Sequence, residues 1–289
     1  MRSKIAQRRT YLIMLLPCMI ILVGIIIVPL VNLFRYSFYN YKLASPKGMT
    51  YIGIKNYQKV LKDKEFINSL VVTGKYVLGV LVTQVPVALL LIETLSSVKR
   101  GSGAIKTLIM PPMVVPGVVA AVIWRLLLNP SVGLVNYLLG IQQPWLADPK
   151  TTLISLIMVD FWQNTPFLIL TLLAGRSTIS DDLYEAGRID GANGLRLFYH
   201  ITLPLLRGSL MIGILFRIID SLKGFAHINV MTSGGPGNVT TTINYYAYKT
   251  AFNYTNIGYS SALGVFMLAI TVLLAIVLVR FFSTGGSKK

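Results

Sequence analysis

The chain predicts an all-α integral membrane protein with six membrane-crossing helices. Over half of its 289 residues are apolar and only 13% are charged. A soluble domain carries about 25% charged residues. The apolar residues fall in long runs near 11–34, 69–92, 105–128, 153–175, 203–225 and 261–282. Each run reaches the roughly 20 residues needed to cross a hydrocarbon core. Backbone amides there have no water to bond, so each run is expected to be helical.

The first run follows Arg2, Lys4, Arg8 and Arg9. It is too long for the apolar core of a signal peptide and lacks a small-x-small cleavage site, so it reads as a retained helix. At about 1.5 Å per residue it covers roughly 36 Å. Prolines sit inside several runs: Pro17, Pro29, Pro86, Pro111, Pro112, Pro116 and Pro166. They predict kinks that neighbouring helices must accommodate.

Connections at 35–68, 129–152 and 226–260 are the long ones and are placed outside. In the first, the stretch 51–57 is expected along the surface. The second predicts a turn and a short interfacial helix, with Trp145 at headgroup level. The third contains Thr232, Ser233, Gly234, Gly235, Pro236 and Gly237, a strong turn signal. With both ends inside, Lys and Arg divide fourteen to thirteen, which does not orient the chain. Arginine is more telling, with nine of twelve on the proposed inner side.

The formal charge of +17 does not point to nucleic acid. The cations flank apolar spans rather than forming one face, which suits contact with lipid headgroups. The lone cysteine, Cys18, has no disulfide partner, and His200 and His227 lack ligands at metal-site spacing. No metal and no bound cofactor is expected. The stretch from Gly101 to Thr107 resembles a phosphate loop only superficially. Ile105 stands before Lys106 where glycine is required. It reads as a loop between the second and third runs. With no nucleophile–base set either, the chain is not expected to be an enzyme.

Between the fourth and fifth runs lies a polar segment, 180–203. Ser180 is a good N-cap, and Asp181 and Asp182 complement the helix dipole behind it. A helix over 181–188 is expected, ended by the turn signal Asp190-Gly191. A second short helix over 193–199 leads to Thr202 and Pro204, which open the fifth run.

The residues of this segment carry a family resemblance. Glu185-Ala186, Asp190-Gly191-Ala192, Phe198 and Ile201-Thr202-Leu203-Pro204 stand in the order and spacing of the signature loop of ABC importer membrane subunits. Gly187 departs from the usual second alanine. The Thr-x-Gly-Gly-Pro block also resembles sugar-importing members. The resemblance implies a coupling-helix hairpin in the cytoplasm, gripped by a separate ATP-binding subunit through Glu185, Ala186, Gly187, Asp190, Gly191, Ala192, Phe198 and Pro204. Glu185 would pair with a cation or backbone donor, Gly191 would permit the bend, and Ala186 and Ala192 would allow close approach. It further implies a five-helix permease core within 69–289, preceded by 1–68 with the first helix. Both termini would be cytoplasmic in a plasma membrane. The implied partners are a second homologous permease, two ATP-binding subunits holding ATP and Mg, an extracellular solute-binding protein, and a sugar or oligosaccharide. The residue-level alternative is an amphipathic loop on the bilayer, held by Arg188, Leu195, Arg196 and Phe198.

Polar residues inside the runs mark a candidate substrate path. Asp160, Gln163, Asn164, Phe167 and Thr171 share one helix face, and Arg217, Asp220, Ser221 and Gly224 share another. Ionisable groups at membrane depth face a protein interior or a wet cavity. Trp162 and Phe225 could stack on a sugar ring, and Trp162 resembles a tryptophan placed in the sugar site of the maltose permease. The plainer reading is that Arg217 and Asp220 neutralise one another, and that Asp160, Gln163 and Asn164 join helices. Gln84 carries little information, and Lys75 and Arg125 are expected to snorkel. Two other classes fit the composition. One is an ion-coupled secondary transporter using Asp160, Arg217 and Asp220; the other is a membrane-embedded enzyme.

Overall fold

The computed structural model describes residues 2–46, 48–97 and 102–284, with side chains for 14–46, 48–96 and 103–282. In chain order the elements are α1 (Arg2–Ser37), β1 (Tyr39–Asn40), β2 (Thr50–Tyr51), α2 (Lys55–Lys62) and α3 (Lys64–Ser97). Then come α4 (Ser102–Ile109), α5 (Pro111–Val114), α6 (Gly117–Leu127), α7 (Leu134–Leu139) and α8 (Thr152–Arg176). The rest are α9 (Asp181–Ile189), α10 (Gly194–Leu197), α11 (Leu203–Leu205), α12 (Arg207–Lys223), α13 (Ile243–Tyr248) and α14 (Ile257–Thr284).

Among the described residues, four helices are long and apolar enough to cross a membrane: α1, α3, α8 and α14. The other two expected crossings are not single helices. The run 105–128 is delivered as α4, α5 and α6. Val115 is extended at ψ 126°, as sterics before Pro116 demand, and Pro116 then opens α6. The run 203–225 turns a corner at Leu206, with 70° between the helical stretch ending at Leu205 and the one starting at Arg207. Pro204 therefore belongs to a three-residue turn before the corner, not to the first turn of the long helix. The stretch from Ser102 is helical, not the expected loop, while Gly101 lies outside the described residues.

The chain divides into two compact units. The first holds Met1–Asp63 and Ala247–Leu268. In α1 the apolar side chains between Met14 and Val28 are exposed, the surface a lipid-facing helix presents. Below it, Asn56 Nδ2 donates to Ser37 O at 2.8 Å and Tyr39 O at 3.0 Å, while β1 pairs antiparallel with β2. These bonds fix α2 along the chain's exit from α1.

The second unit holds Lys64–Tyr246 and Ala269–Lys289. Its centre is α3, α8 and α12, packed on one another. Ala88, Ile92, Leu168, Leu172 and Leu206 are all fully buried there. In the 129–152 connection, Trp145 is half-buried and tied to its neighbours. Its Nε1 donates to Asn136 Oδ1 at 2.6 Å, and Asn136 Nδ2 donates to Pro130 O and Gln143 O. The exposed aromatic of that loop is Tyr137. The turn at 232–237 is held by Thr240 Oγ1 donating to Gly235 O and Thr241 Oγ1 to Gly234 O. Arg125 is exposed and donates to Val230 O at 2.9 Å. Lys75 is exposed.

Candidate functional site

Two sites emerge, both within the second unit. The first is the hairpin of α9 and α10. Ser180 caps α9, its Oγ accepting from Asp182 N at 3.3 Å. Gly191 takes φ +80° and turns the chain, a conformation other residues adopt at a cost. Asn193 Oδ1 then accepts from Arg196 N at 2.9 Å and starts α10. The second helix stops at Leu197 rather than at 199, and Phe198–Thr202 continue as a wider π-helical turn.

The sequence reading missed what holds the hairpin rigid. Tyr184 is buried, with its Oη 2.9 Å from Thr202 Oγ1 and its ring 4.0 Å from the Arg176 guanidinium. Tyr184, Leu197 and Ile179 join Ala88, Ile92 and Leu95 of α3 and Leu168, Ile169 and Leu172 of α8 in one apolar cluster. The hairpin is thus built into the same core as two long helices. Tyr184 is the one buried residue of α9, so the helix carries no repeating apolar face that would have marked it. Tyr184→Phe leaves Thr202 without its partner and should lower stability by about 1–2 kcal/mol, measured by thermal unfolding in detergent.

The residues left outside that core are Glu185, Ala186, Arg188, Asp190, Gly191 and Pro204, all exposed. Gly187, Ala192 and Phe198 are half-buried. Gly187 has a steric reason. A methyl group there would lie 2.6 Å from Leu197 Cδ2, so Leu197 fills the space that alanine would take. Glu185 makes no ion pair among the described residues.

The second site is a polar cluster between α3, α8 and α12. Arg217 is 2% exposed and forms ion pairs with both Asp160 and Asp220, the latter at 2.6 Å. Its Nε donates to Gln84 Oε1 at 2.8 Å. Gln84 Nε2 donates to Asp160 Oδ1 at 2.8 Å, and Tyr76 Oη donates to Asp160 Oδ2 at 2.9 Å. The Asp160 carboxylate thus receives Arg217, Gln84 and Tyr76, which offsets the cost of burying its charge. Arg217 and Asp220 do neutralise one another at i,i+3, but that is half the arrangement. The larger part crosses between helices, and Gln84, which carried little information in the sequence, sits at its centre.

Gln163 is also turned inward, with Nε2 donating to Val115 O at 2.6 Å and Oε1 2.6 Å from His227 Nε2. Ser221 is buried beside Arg217. Asn164, Phe167, Arg217 and Asp220 line an open cleft of about 210 Å³ with Met113 and Phe216. Thr171 bonds back to Phe167 O, and Gly224 ends α12. Trp162 and Phe225 are not among the lining residues. Trp162 packs edge-on against Trp124 with centroids 5.7 Å apart, and Phe225 lies 6.2 Å from Tyr245. The candidate path therefore splits into buried linkers (Asp160, Gln163, Ser221) and a cleft wall (Asn164, Phe167, Asp220). Tyr76, Gln84 and His227 were missed. A carboxamide in the middle of an apolar run was a legible signal for Gln84.

Comparison with known proteins agrees with this architecture. The chain is 38% identical over 265 residues to a probable ABC transporter permease protein, y4oQ, of Sinorhizobium fredii, covering 89% of this chain and 85% of that one. It is 35% identical over 262 residues to the trehalose/maltose transport system permease protein MalF of Thermococcus litoralis, covering 89% and 87%. Its fold matches a subunit in the crystal structure of a bacterial ABC transporter that imports the acidic polysaccharide alginate. The TM-score there is 0.84, at 22% identity and full coverage of both chains. Residues 76–284, the stretch holding both sites, match the binding-protein-dependent transport system inner membrane component, and the chain belongs to that family of ABC importer permeases.

Proposed function

We propose that this permease subunit carries a sugar or oligosaccharide across the plasma membrane by alternating access, driven by ATP hydrolysed on partner subunits. The observation that carries the reading is the hairpin: a rigid projection sharing one apolar core with α3 and α8, with Glu185 left exposed. Such an element transmits a push to the helices behind it. In this reading 69–289 form the working core with 1–68 ahead of it, six crossings place both ends and the hairpin in the cytoplasm, and a second homologous permease completes the pathway. Two ATP-binding subunits holding ATP and Mg grip the hairpin through Glu185, Ala186, Asp190, Gly191 and Ala192. An extracellular solute-binding protein delivers the cargo. The similarity to a trehalose/maltose permease supports a sugar as cargo.

The cluster around Arg217 then acts as a pin. It joins α3, α8 and α12 by charge-assisted bonds, so that closure of the motor rotates them together. Asn164, Phe167 and Asp220 face the moving cleft, where hydroxyl groups of a sugar find an amide, a ring and a carboxylate. The test is uptake of maltose, as the sugar probe, in proteoliposomes holding the full assembly. Omitting ATP should abolish uptake, and dissipating proton and sodium gradients should leave it unchanged. Uptake that tracks the ion gradient and ignores ATP would instead favour a secondary carrier.

A further inference from the structure

The cleft of about 210 Å³ formed by α5, α8 and α12 carries an unbalanced charge. Asp160 and Asp220 share the single guanidinium of Arg217, so two carboxylates stand against one cation. That cation is also spent. Arg217 is 2% exposed, and each of its three nitrogens already donates: Nε to Gln84, one terminal nitrogen to Asp220, the other to Asp160 and Ser221. Asp220 is the reverse. Its side chain is 62% exposed; Oδ2 accepts from Arg217, and Oδ1 has no partner among the described residues. The other lining residues, Met113, Asn164, Phe167 and Phe216, are uncharged. His227 is buried against Gln163 and does not line the cleft.

We propose that this cleft filters cargo by charge: it passes glycans free of acidic groups and turns away those bearing carboxylate, sulfate or phosphate, with Asp220 as the residue that sets the preference. The inference rests on the sugar-transport reading above and narrows it. An acidic group entering the cleft gives up water, finds no free cation, and faces the open Asp220 oxygen. A sugar hydroxyl instead donates to that oxygen in a charge-assisted bond. Asn164 is half-buried and makes no side-chain bond among the described residues, so its amide offers a donor and an acceptor to further hydroxyls. Phe167 and Phe216, edge to face at 5.9 Å, supply the apolar wall. In a cleft with low-dielectric walls, charge of one sign changes the local concentration of ions by about tenfold or more.

The experiment uses the full assembly in detergent with Cys18→Ser as background, since Cys18 is the only cysteine of this chain. Met113→Cys places a thiol on the cleft wall, and Phe216→Cys is the second reporter should the first fail to fold. Labelling of this chain is timed with a cationic, an anionic and an uncharged methanethiosulfonate, each rate divided by that of free cysteine. The cationic reagent should outpace the anionic one. Asp220→Asn should shrink that ratio by about tenfold, and Asp220→Glu should preserve it. A ratio near one in the parent chain, or one that Asp220→Asn leaves unchanged, overturns the filter. So does a thiol that no reagent reaches at either position, with or without ATP. The cargo itself is tested by protection. Millimolar maltose should slow labelling by the uncharged reagent, whereas a glucose–glucuronic acid disaccharide should do so only in Asp220→Asn. Equal slowing by both sugars in the parent chain, or slowing by neither, contradicts the inference. ATP-driven maltose uptake by the parent assembly separates the two readings. Uptake that needs ATP without a charge preference sinks the filter alone, while uptake that ignores ATP removes the proposed function and leaves the charge preference as a property of the cleft.

Discussion

Replacing Arg217 with methionine should destabilise the protein by about 3–5 kcal/mol, the cost of leaving a buried charge without its partner. The Asp160 carboxylate is 4% exposed, and without Arg217 only the neutral donors Tyr76 and Gln84 would face it. Asp220 is different: its side chain is 62% exposed, so it loses its partner but keeps access to water. The double variant Arg217→Met with Asp160→Asn should therefore regain most of the loss, because no buried charge remains. Arg217→Lys should fall between, since an ammonium cannot reach Gln84, Asp160 and Asp220 with one planar fork. Thermal unfolding of the purified protein in detergent measures all three. A double variant no more stable than Arg217→Met alone would show that packing, not charge, is what Arg217 supplies.

The second large effect is on transport. Glu185→Lys should abolish ATP-driven uptake while the protein still reaches the membrane. Glu185 is exposed and its side chain makes no ion pair among the described residues, so reversing its charge spares the fold and strikes the surface offered to a partner. Gly191→Pro should also stop uptake, by a different route. Its φ of +80° is closed to proline, so the hairpin itself would be lost. Comparing the two separates a missing grip from a missing hairpin. Limited proteolysis should leave Glu185→Lys resistant and cut Gly191→Pro within the 180–203 segment.

Much of this was legible in the sequence because the rules involved are local. Apolar runs marked the four long helices α1, α3, α8 and α14. Ser180, Gly191 and Asn193 are local stop and start signals, and the hairpin follows them closely. What failed to appear has two causes. Breaks inside a run depend on whether neighbouring helices tolerate a proline: Pro86 and Pro166 stay inside long helices, while Pro111, Pro112 and Pro116 divide one. Partners across helices have no periodic signature at all. Arg217 finds Asp160 57 residues away and Gln84 133 residues away. The sequence placed Asp160 and Arg217 on helix faces, but only the packing of α3 against α8 and α12 brings those faces together. Tyr184 escaped for the same reason: its importance lies in Thr202 and Arg176, which approach only when the hairpin folds back.

The central claim is that a foreign motor moves this chain by its hairpin. Ile189 stands at the tip of α9 and is 86% exposed, so a photo-crosslinking residue placed there should not disturb the fold. In the working assembly it should form an adduct with the ATP-binding subunit, with a yield that changes when nucleotide is added. Adducts only with lipid or with the extracellular binding protein, in an assembly that still transports, would contradict the claim.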